Sequence, residues 1–574
     1  MGMVESLTGH PFLAWAWSLL QLKFVGVAFG ALFFCLSLTP SLLPRDWLFQ
    51  GLIGGINAAF GYGLGVLIGA AVNRFVLRGA RWWPPSHRVL LALKTAVVVA
   101  SPAACVLMLI PAAGWQRQVC ELLGIEGPGT QGYLRTLGVA IGVAAALIAT
   151  VRVLIDAVRL LAGALIRRWH LQREVATFIG TAIVVVLLIT LINGVLIRGF
   201  FAGASAMSEP QDSSTKYGVS QPLQPERSGS TASLVPWDSL GFQGRNFVAG
   251  GPRADELERV NARPAKEPVR VYAGLRSAAD DRARMDLLVD ELDRTKAFER
   301  KVLVIIPTTG TGWINPVAAR AVEMLYNGDT ALVGVQYSYL PSWISFLADK
   351  QKSTDSGRML IDAVQARWQQ LAPDHRPKLV LYGESLGSLA GQAAFDWLPD
   401  IAAKGFDSVL WVGPPNPSRL WGALVQRRDP GSTAAAPRYD NGRTVRFSQG
   451  TDPDEIARKA APPWEGTRVL FLQHASDPVI WWSPDLLFHR PDWLTEPPGP
   501  DRTASMRWYP VVTFCQVMAD LAHGESMPAG HGHNYADTVL DGWVAVSPPE
   551  GWTPADTEHI RTAMRQAHAR ADAA

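Results

Sequence analysis

The sequence predicts an all-helical membrane bundle of about five helices, followed by an α/β domain built on a mostly parallel sheet. Three observations carry this. Five apolar runs, each about as long as a bilayer-crossing helix requires, crowd the first part of the chain. From Pro268 onward, short apolar strands alternate with helical stretches, the pattern of a sheet covered on both faces. One of those strands runs straight into Gly383-Glu384-Ser385-Leu386-Gly387, and a small-residue helix runs out of it.

At 574 residues the chain calls for more than one domain. Composition divides it into residues 1–202, 203–233 and 234–574. The net charge is only +3, and the basic residues sit beside apolar segments, so nucleic acid is not an expected partner. The apolar runs fall at 24–43, 52–72, 89–112, 136–155 and 177–198. Flanking segments 1–23, 73–88 and 156–175 hold nine Lys and Arg, against three (Arg45, Arg117 and Arg135) in 44–51 and 113–135. The positive-inside rule then puts the N-terminus in the cytoplasm, and five crossings put everything after Phe200 outside. The first run lacks a small-residue cleavage pattern before Pro44, so it is expected to stay as an anchor.

The second run carries Gly61, Gly65 and Gly69, a ridge that lets another helix approach closely. Two readings stand, a homo-oligomer contact and packing within the bundle, the latter being the simpler. Lys94 and Arg152 lie near the cytoplasmic ends, where they can snorkel. With no ionisable group expected at mid-membrane, the bundle reads as an anchor or scaffold within the lipid bilayer rather than a proton-coupled transporter. The four cysteines have neither disulfide-framework nor zinc spacing.

Residues 203–233 are rich in Ser, Gly, Gln and Pro and read as a flexible tether. Strands are expected at 269–273, 302–307, 331–337, 378–382, 408–413 and 468–473, with helices at 279–298, 316–326 and 356–371.

The chemistry is concentrated at strand ends. A bare G-x-S-x-G arises by chance in about one such glycine-rich chain in four, so its context matters more than its letters. An apolar strand before it and a Gly/Ala-faced helix after it make a nucleophile elbow, with Ser385 lifted above the sheet. Such an elbow belongs to the α/β-hydrolase architecture, which then requires an acid and a histidine downstream in that order. The acid is Asp477, in Gln473-His474-Ala475-Ser476-Asp477-Pro478 after the last strand, with Asp485 in reserve; a plain turn before Pro478 is the alternative. The base comes from Gly530-His531-Gly532-His533-Asn534-Tyr535. His533 adjoins the following helical run, 535–546, and is preferred to His531, which stays open. One oxyanion donor should be the N–H of Leu386 and the other that of Thr308 or Thr309, in the loop after strand 302–307. His-x-His lacks a third ligand nearby, so no metal is expected, and no cofactor is needed. His474, His489 and His523 read as structural.

These stretches, together with Leu38-Thr39-Pro40-Ser41-Leu42-Leu43-Pro44-Arg45-Asp46-Trp47, Gly61 to Gly65 and Trp237 to Val248, resemble the bacterial membrane-anchored α/β-hydrolases grouped as family 9. The resemblance implies a helical membrane domain joined to a serine-hydrolase-type domain, with Ser385, Asp477 and His533 in the triad roles. It implies no particular substrate. The expected activity is cleavage of an ester or acyl bond on the extracytoplasmic side. Trp313, Trp343, Trp481 and Trp482 incline the substrate toward acylated or lipid-like esters. Acyl transfer by the same triad and a non-catalytic envelope scaffold on a hydrolase fold are the rival readings.

Overall fold

A computed structural model describes residues 22–76, 86–127, 132–197, 199, 203, 210–348, 350–450, 462–536 and 538–572. They form two compact units. One holds the described residues before 203 together with Pro484–Pro491 and Thr503–Asp520; the other holds Gly203–Ser483, Asp492–Arg502 and the residues from Leu521 on.

In the first unit the apolar runs form helices α1 (Phe24–Ser37), α2 (Trp47–Phe75), α3 (His87–Leu122), α4 (Tyr133–Trp169) and α5 (Arg173–Thr190). The last continues as a π-helical stretch over Leu191–Ile197. The count of five spans needs correction. Helix α1 has 14 residues, about 21 Å of rise against a hydrocarbon core of about 30 Å. It stops at Ser37 because Pro40 and Pro44 follow and cannot continue a helix. Among the described residues, four helices, α2 to α5, are long and apolar enough to cross a membrane. Of the basic loop residues counted above, Arg78 and Arg81 lie outside the described residues, as does the side chain of Trp343.

The glycine ridge is occupied within the chain. A methyl group on Gly61 would lie 2.6 Å from Phe29 O, and one on Gly65 would lie 2.6 Å from Val25 O, both on α1. Gly69 also faces Val25. Within the chain α1 therefore packs into the ridge, as the simpler of the two readings expects.

The Pro-interrupted segment after α1 leaves backbone donors and a cation to be satisfied. Asp520, at the end of helix Val512–Asp520, meets both needs. It accepts from Ser41 Oγ at 2.9 Å and from Leu42 N–H at 3.1 Å, and its carboxylate lies 3.9 Å from Arg45 Nε. Gln516 Nε2 donates to Thr39 O at 2.8 Å. Arg45 and Asp520 are both fully buried. Asp520→Ala would leave that guanidinium inside the fold without a counter-charge. We expect a loss of about 3–5 kcal/mol, read as thermal unfolding of the full chain in detergent; a loss under about 1 kcal/mol would contradict this account.

The second unit is organised on seven parallel strands: β1 (Val269–Ala273), β2 (Val302–Pro307), β3 (Thr330–Val335), β4 (Lys378–Glu384), β5 (Ser408–Val412), β6 (Val445–Ser448) and β7 (Arg468–Leu472). Their order is β1-β3-β2-β4-β5-β7-β6. Six strands stand at or near their expected positions. The seventh, β6, was not anticipated: it spans four residues, with only Val445 and Phe447 marking its buried alternation, and it finds its place solely by pairing with β7. Helices α6 (Asp281–Arg294), α7 (Pro316–Leu325), α8 (Lys350–Gln369), α9 (Leu386–Gln392) and α10 (Val539–Val546) cover the sheet. Helices α6, α8 and α9 pack together on one face, α7 and α10 on the other.

Residues 204–209 of the expected tether lie outside the described residues, but the part from 210 is no free linker. Arg227 is fully buried and donates to the carbonyls of Val248 and Pro252 at 3.0 and 2.9 Å and to Glu267 Oε1 at 3.0 Å. Asp212 Oδ1 accepts from Phe242 N–H at 3.0 Å and from Gln336 Nε2 at 2.9 Å. A Ser/Gly/Pro-rich composition encodes low apolar content; here buried charge pairing and hydrogen bonds, rather than apolar burial, hold the segment.

Candidate active site

In a parallel sheet every strand ends on the same edge, and the loops that follow gather there. Four such loops concern the site: 308–315 after β2, the elbow after β4, Gly413 after β5 and 473–477 after β7.

Ser385 takes φ 52° and ψ −125°, a left-handed conformation that a side chain rarely adopts. The flanking glycines make that turn fit. A methyl on Gly387 would lie 2.2 Å from Pro307 O, so only glycine lets the elbow press against the Pro307–Thr308 peptide. Leu386 opens α9, and an N–H in the first turn of a helix has no intrahelical acceptor. Thr309 N–H is already engaged with Trp313 O at 3.2 Å, inside its own loop. Thr308 Oγ1 donates to Val335 O at 2.6 Å, which pins the residue while leaving its backbone against the elbow.

The structure brings Asp477 and His533 together. His533 Nδ1 and Asp477 Oδ2 are 2.7 Å apart, both residues being buried. Tyr535 Oη donates to the same Oδ2 at 2.8 Å, and Val479 N–H donates to Oδ1 at 2.8 Å. His533 N–H is fixed on Gly524 O at 2.8 Å. On the other side of the ring, Nε2 is buried and has no hydrogen-bond partner among the described residues. Ser385 and this imidazole share a neighbour in the end of β5: Ser385 N–H donates to Val412 O at 2.9 Å, and a methyl on the next residue, Gly413, would lie 2.6 Å from His533 Cε1.

His531 is turned elsewhere. Its Nδ1 lies 3.4 Å from Asp501 Oδ2, and Asp501 also accepts from Ser476 N–H at 3.1 Å and from Ser476 Oγ. That set braces the loop from behind, since Ser476 Oγ accepts from Gly532 N–H at 2.8 Å. His474 is buried, stacks on Tyr535 with ring centres 4.0 Å apart and bonds Gly532 O through Nδ1 at 2.8 Å; burial lowers its pKa. The reserve acid, Asp485, falls in the 3₁₀ turn Pro484–Leu487 of the first unit, where its carbonyl accepts from Phe488 and His489 N–H.

Burial pushes the His533 pKa down, but the Asp477 carboxylate outweighs it by charge and hydrogen bond, and Glu525 and Glu384 add to it, so the pKa is raised from 6.5 to about 9. A raised pKa keeps the ring protonated to higher pH, and a general base must be neutral. Were His533 to act as such a base, kcat/KM for a soluble ester should rise along a limb centred near pH 9; a limb centred below 6.5 would contradict this environment.

Four participants were not singled out from the sequence. Tyr535 and Glu384 lie inside quoted motifs, so their chemistry was in view without a role. Asp501 and Gly413 carry no local signal, because their place comes only from strand order and loop packing. Two cavities of about 800 and 590 Å³ lie in the second unit, and neither is lined by Ser385, Asp477 or His533. Among the described residues no three His, Cys, Asp or Glu side chains gather as a metal-ligand set.

Two family models match the chain. One, described as the alpha/beta-hydrolase family, covers residues 269–560; the other, described as the N-terminus of that family, covers residues 38–252. No curated protein and no solved structure matches the chain.

Proposed function

The chain belongs to family 9 of the α/β-hydrolases, and from that premise we propose that it is a membrane-anchored serine hydrolase acting on acyl or lipid-like esters. The observation that carries the reading is the buried Asp477–His533 pair, with Nε2 unpartnered, which shares the end of β5 with a serine held in the elbow conformation. His533 Nε2 takes the Ser385 proton as Oγ attacks the acyl carbonyl. The N–H groups of Leu386 and Thr308 hold the oxyanion that forms. Asp477, itself steadied by Tyr535, stabilises the imidazolium. His533 then gives the proton to the departing alcohol, and water, activated by the same ring, releases the acid and restores Ser385.

The flanking charges of the four long helices support an orientation. Four crossings beginning at Trp47 return the chain to the side on which it started. Arg74, Arg88, Arg167, Arg168 and Arg173 lie at the far ends, against Arg45, Arg117 and Arg135 at the near ends. The positive-inside rule then makes the far side cytoplasmic and the catalytic unit extracytoplasmic, and with four crossings in place of five the segment from Phe24 to Asp46 shares that outer side, against the cytoplasmic N-terminus expected from five. Outward-facing apolar side chains such as Leu67, Leu107, Ile110 and Phe178 suit contact with lipid.

The test is a chain-length panel of p-nitrophenyl esters offered to membranes containing the full chain. Release of acid in water alone supports hydrolysis. Turnover only with an added alcohol acceptor would make the chain an acyltransferase, and none under either condition would favour a scaffold.

A further inference from the structure

The residue before the nucleophile takes no step in the mechanism above beyond adding to the His533 pKa, yet it is buried and carries a carboxyl group. Glu384 ends β4. Its Oε2 accepts from Tyr382 Oη at 2.5 Å and from Asn315 Nδ2 at 2.8 Å. Both donors converge on that one carboxyl oxygen.

Asn315 cannot turn its amide round without losing more, since its Oδ1 caps α7 by accepting from Val317 and Ala318 N–H at 2.9 and 3.3 Å. Asn315 also closes the loop that begins at Thr308. Within that loop, Thr309 N–H to Trp313 O ties one end to the other, so a displacement of Asn315 is passed back toward Thr308. On the sheet side the loop is held by Tyr272 Oη, donating to Gly312 O at 2.7 Å, and by Gln336 Nε2, donating to Thr311 O at 3.2 Å. Glu384 is the side chain that fastens it directly to the elbow. Tyr382 backs the tie by stacking on Trp543, whose Nε1 donates to Ala318 O of α7 at 3.0 Å.

We propose that Glu384 is a positioning residue that sets the spacing between the Thr308 loop and the Ser385 elbow through Asn315 and Tyr382. The inference rests on the hydrolase reading and assigns the spacing of its two oxyanion donors to one carboxylate. A hydrogen-bond donor misplaced by about 1 Å can cost about a hundredfold in rate. Substrate binding made elsewhere is untouched, so the effect belongs in kcat.

The experiment measures kcat and KM for a soluble acyl ester with the full chain in detergent, alongside fluorophosphonate labelling of the wild type and of Ser385→Ala. Glu384→Ala is expected to lower kcat about 10- to 100-fold with KM changed less than about threefold. Asn315→Ser keeps a helix cap but cannot reach Glu384, and it should do the same. The double variant should be no worse than the poorer single one within about threefold, because both break one link. Glu384→Gln retains an acceptor oxygen and should stay within about fivefold of wild type. Should Glu384→Ala fail to unfold cooperatively, Asn315→Ser and Glu384→Gln carry the comparison. Wild-type kcat in a folded Glu384→Ala or in Asn315→Ser, or multiplying losses in the double variant, overturns the inference while leaving the labelled hydrolase standing. Absence of wild-type labelling overturns both.

Discussion

Ser385→Ala is expected to remove fluorophosphonate labelling of the full chain and to lower ester turnover by about 10³- to 10⁶-fold. The size follows from what the hydroxyl does. Without it no acyl-enzyme forms, and the surviving rate is that of water attacking an ester held beside oxyanion donors. The substitution itself is structurally mild, since Ser385 is nearly buried and an alanine keeps its Cβ. The left-handed backbone at φ 52° remains, imposed by the close packing of Gly383 and Gly387 around it. Unfolding should therefore stay within about 1 kcal/mol of wild type, which separates loss of chemistry from loss of fold. Labelling that persists in Ser385→Ala would place the reactive serine elsewhere and end the present assignment.

The second large effect distinguishes two histidines separated by one glycine. His533→Ala should cost about 10³- to 10⁶-fold in kcat, whereas His531→Ala should leave kcat within about tenfold of wild type. The structural difference is plain. His533 faces Asp477 at 2.7 Å with its far nitrogen unpartnered. His531 faces Asp501 at 3.4 Å and is partly open to solvent, so its loss loosens a brace that Ser476 and Gly532 also form. Asp477→Asn should follow His533→Ala at about 10⁴-fold, because an amide cannot hold the imidazolium or fix its tautomer. Ester kinetics on purified variants settle the matter. Equal losses for the two histidines would mean that the loop, rather than the Asp477 contact, is what the site requires.

Much of the architecture was legible because its signals are local. Apolar runs, a strand entering a glycine-flanked serine and a small-residue helix leaving it all act over a few residues, where backbone preference and burial agree. The limits of that reading are equally physical. Helix α1 looked long enough to span because hydropathy runs on past Ser37, but proline ended the helix. Strand β6 was too short to signal itself and exists by pairing with β7. The Ser- and Gly-rich stretch read as a tether because composition cannot show that Arg227 would find three carbonyls and Glu267 to bind.

The sequence alone determined the class of fold, the run of apolar helices ahead of a parallel sheet, and a short roster of candidate nucleophile, acid, base and oxyanion residues. Those follow from periodicity and turn chemistry, which neighbours in the chain dictate. Tertiary structure decided which members of that roster meet. It set His533 rather than His531 against Asp477, engaged Thr309 within its own loop, filled the Gly61–Gly65 ridge with α1 and joined Glu384 to Asn315. Each of those depends on groups far apart in the chain. Strand order and packing, not local preference, bring them within hydrogen-bonding or van der Waals distance.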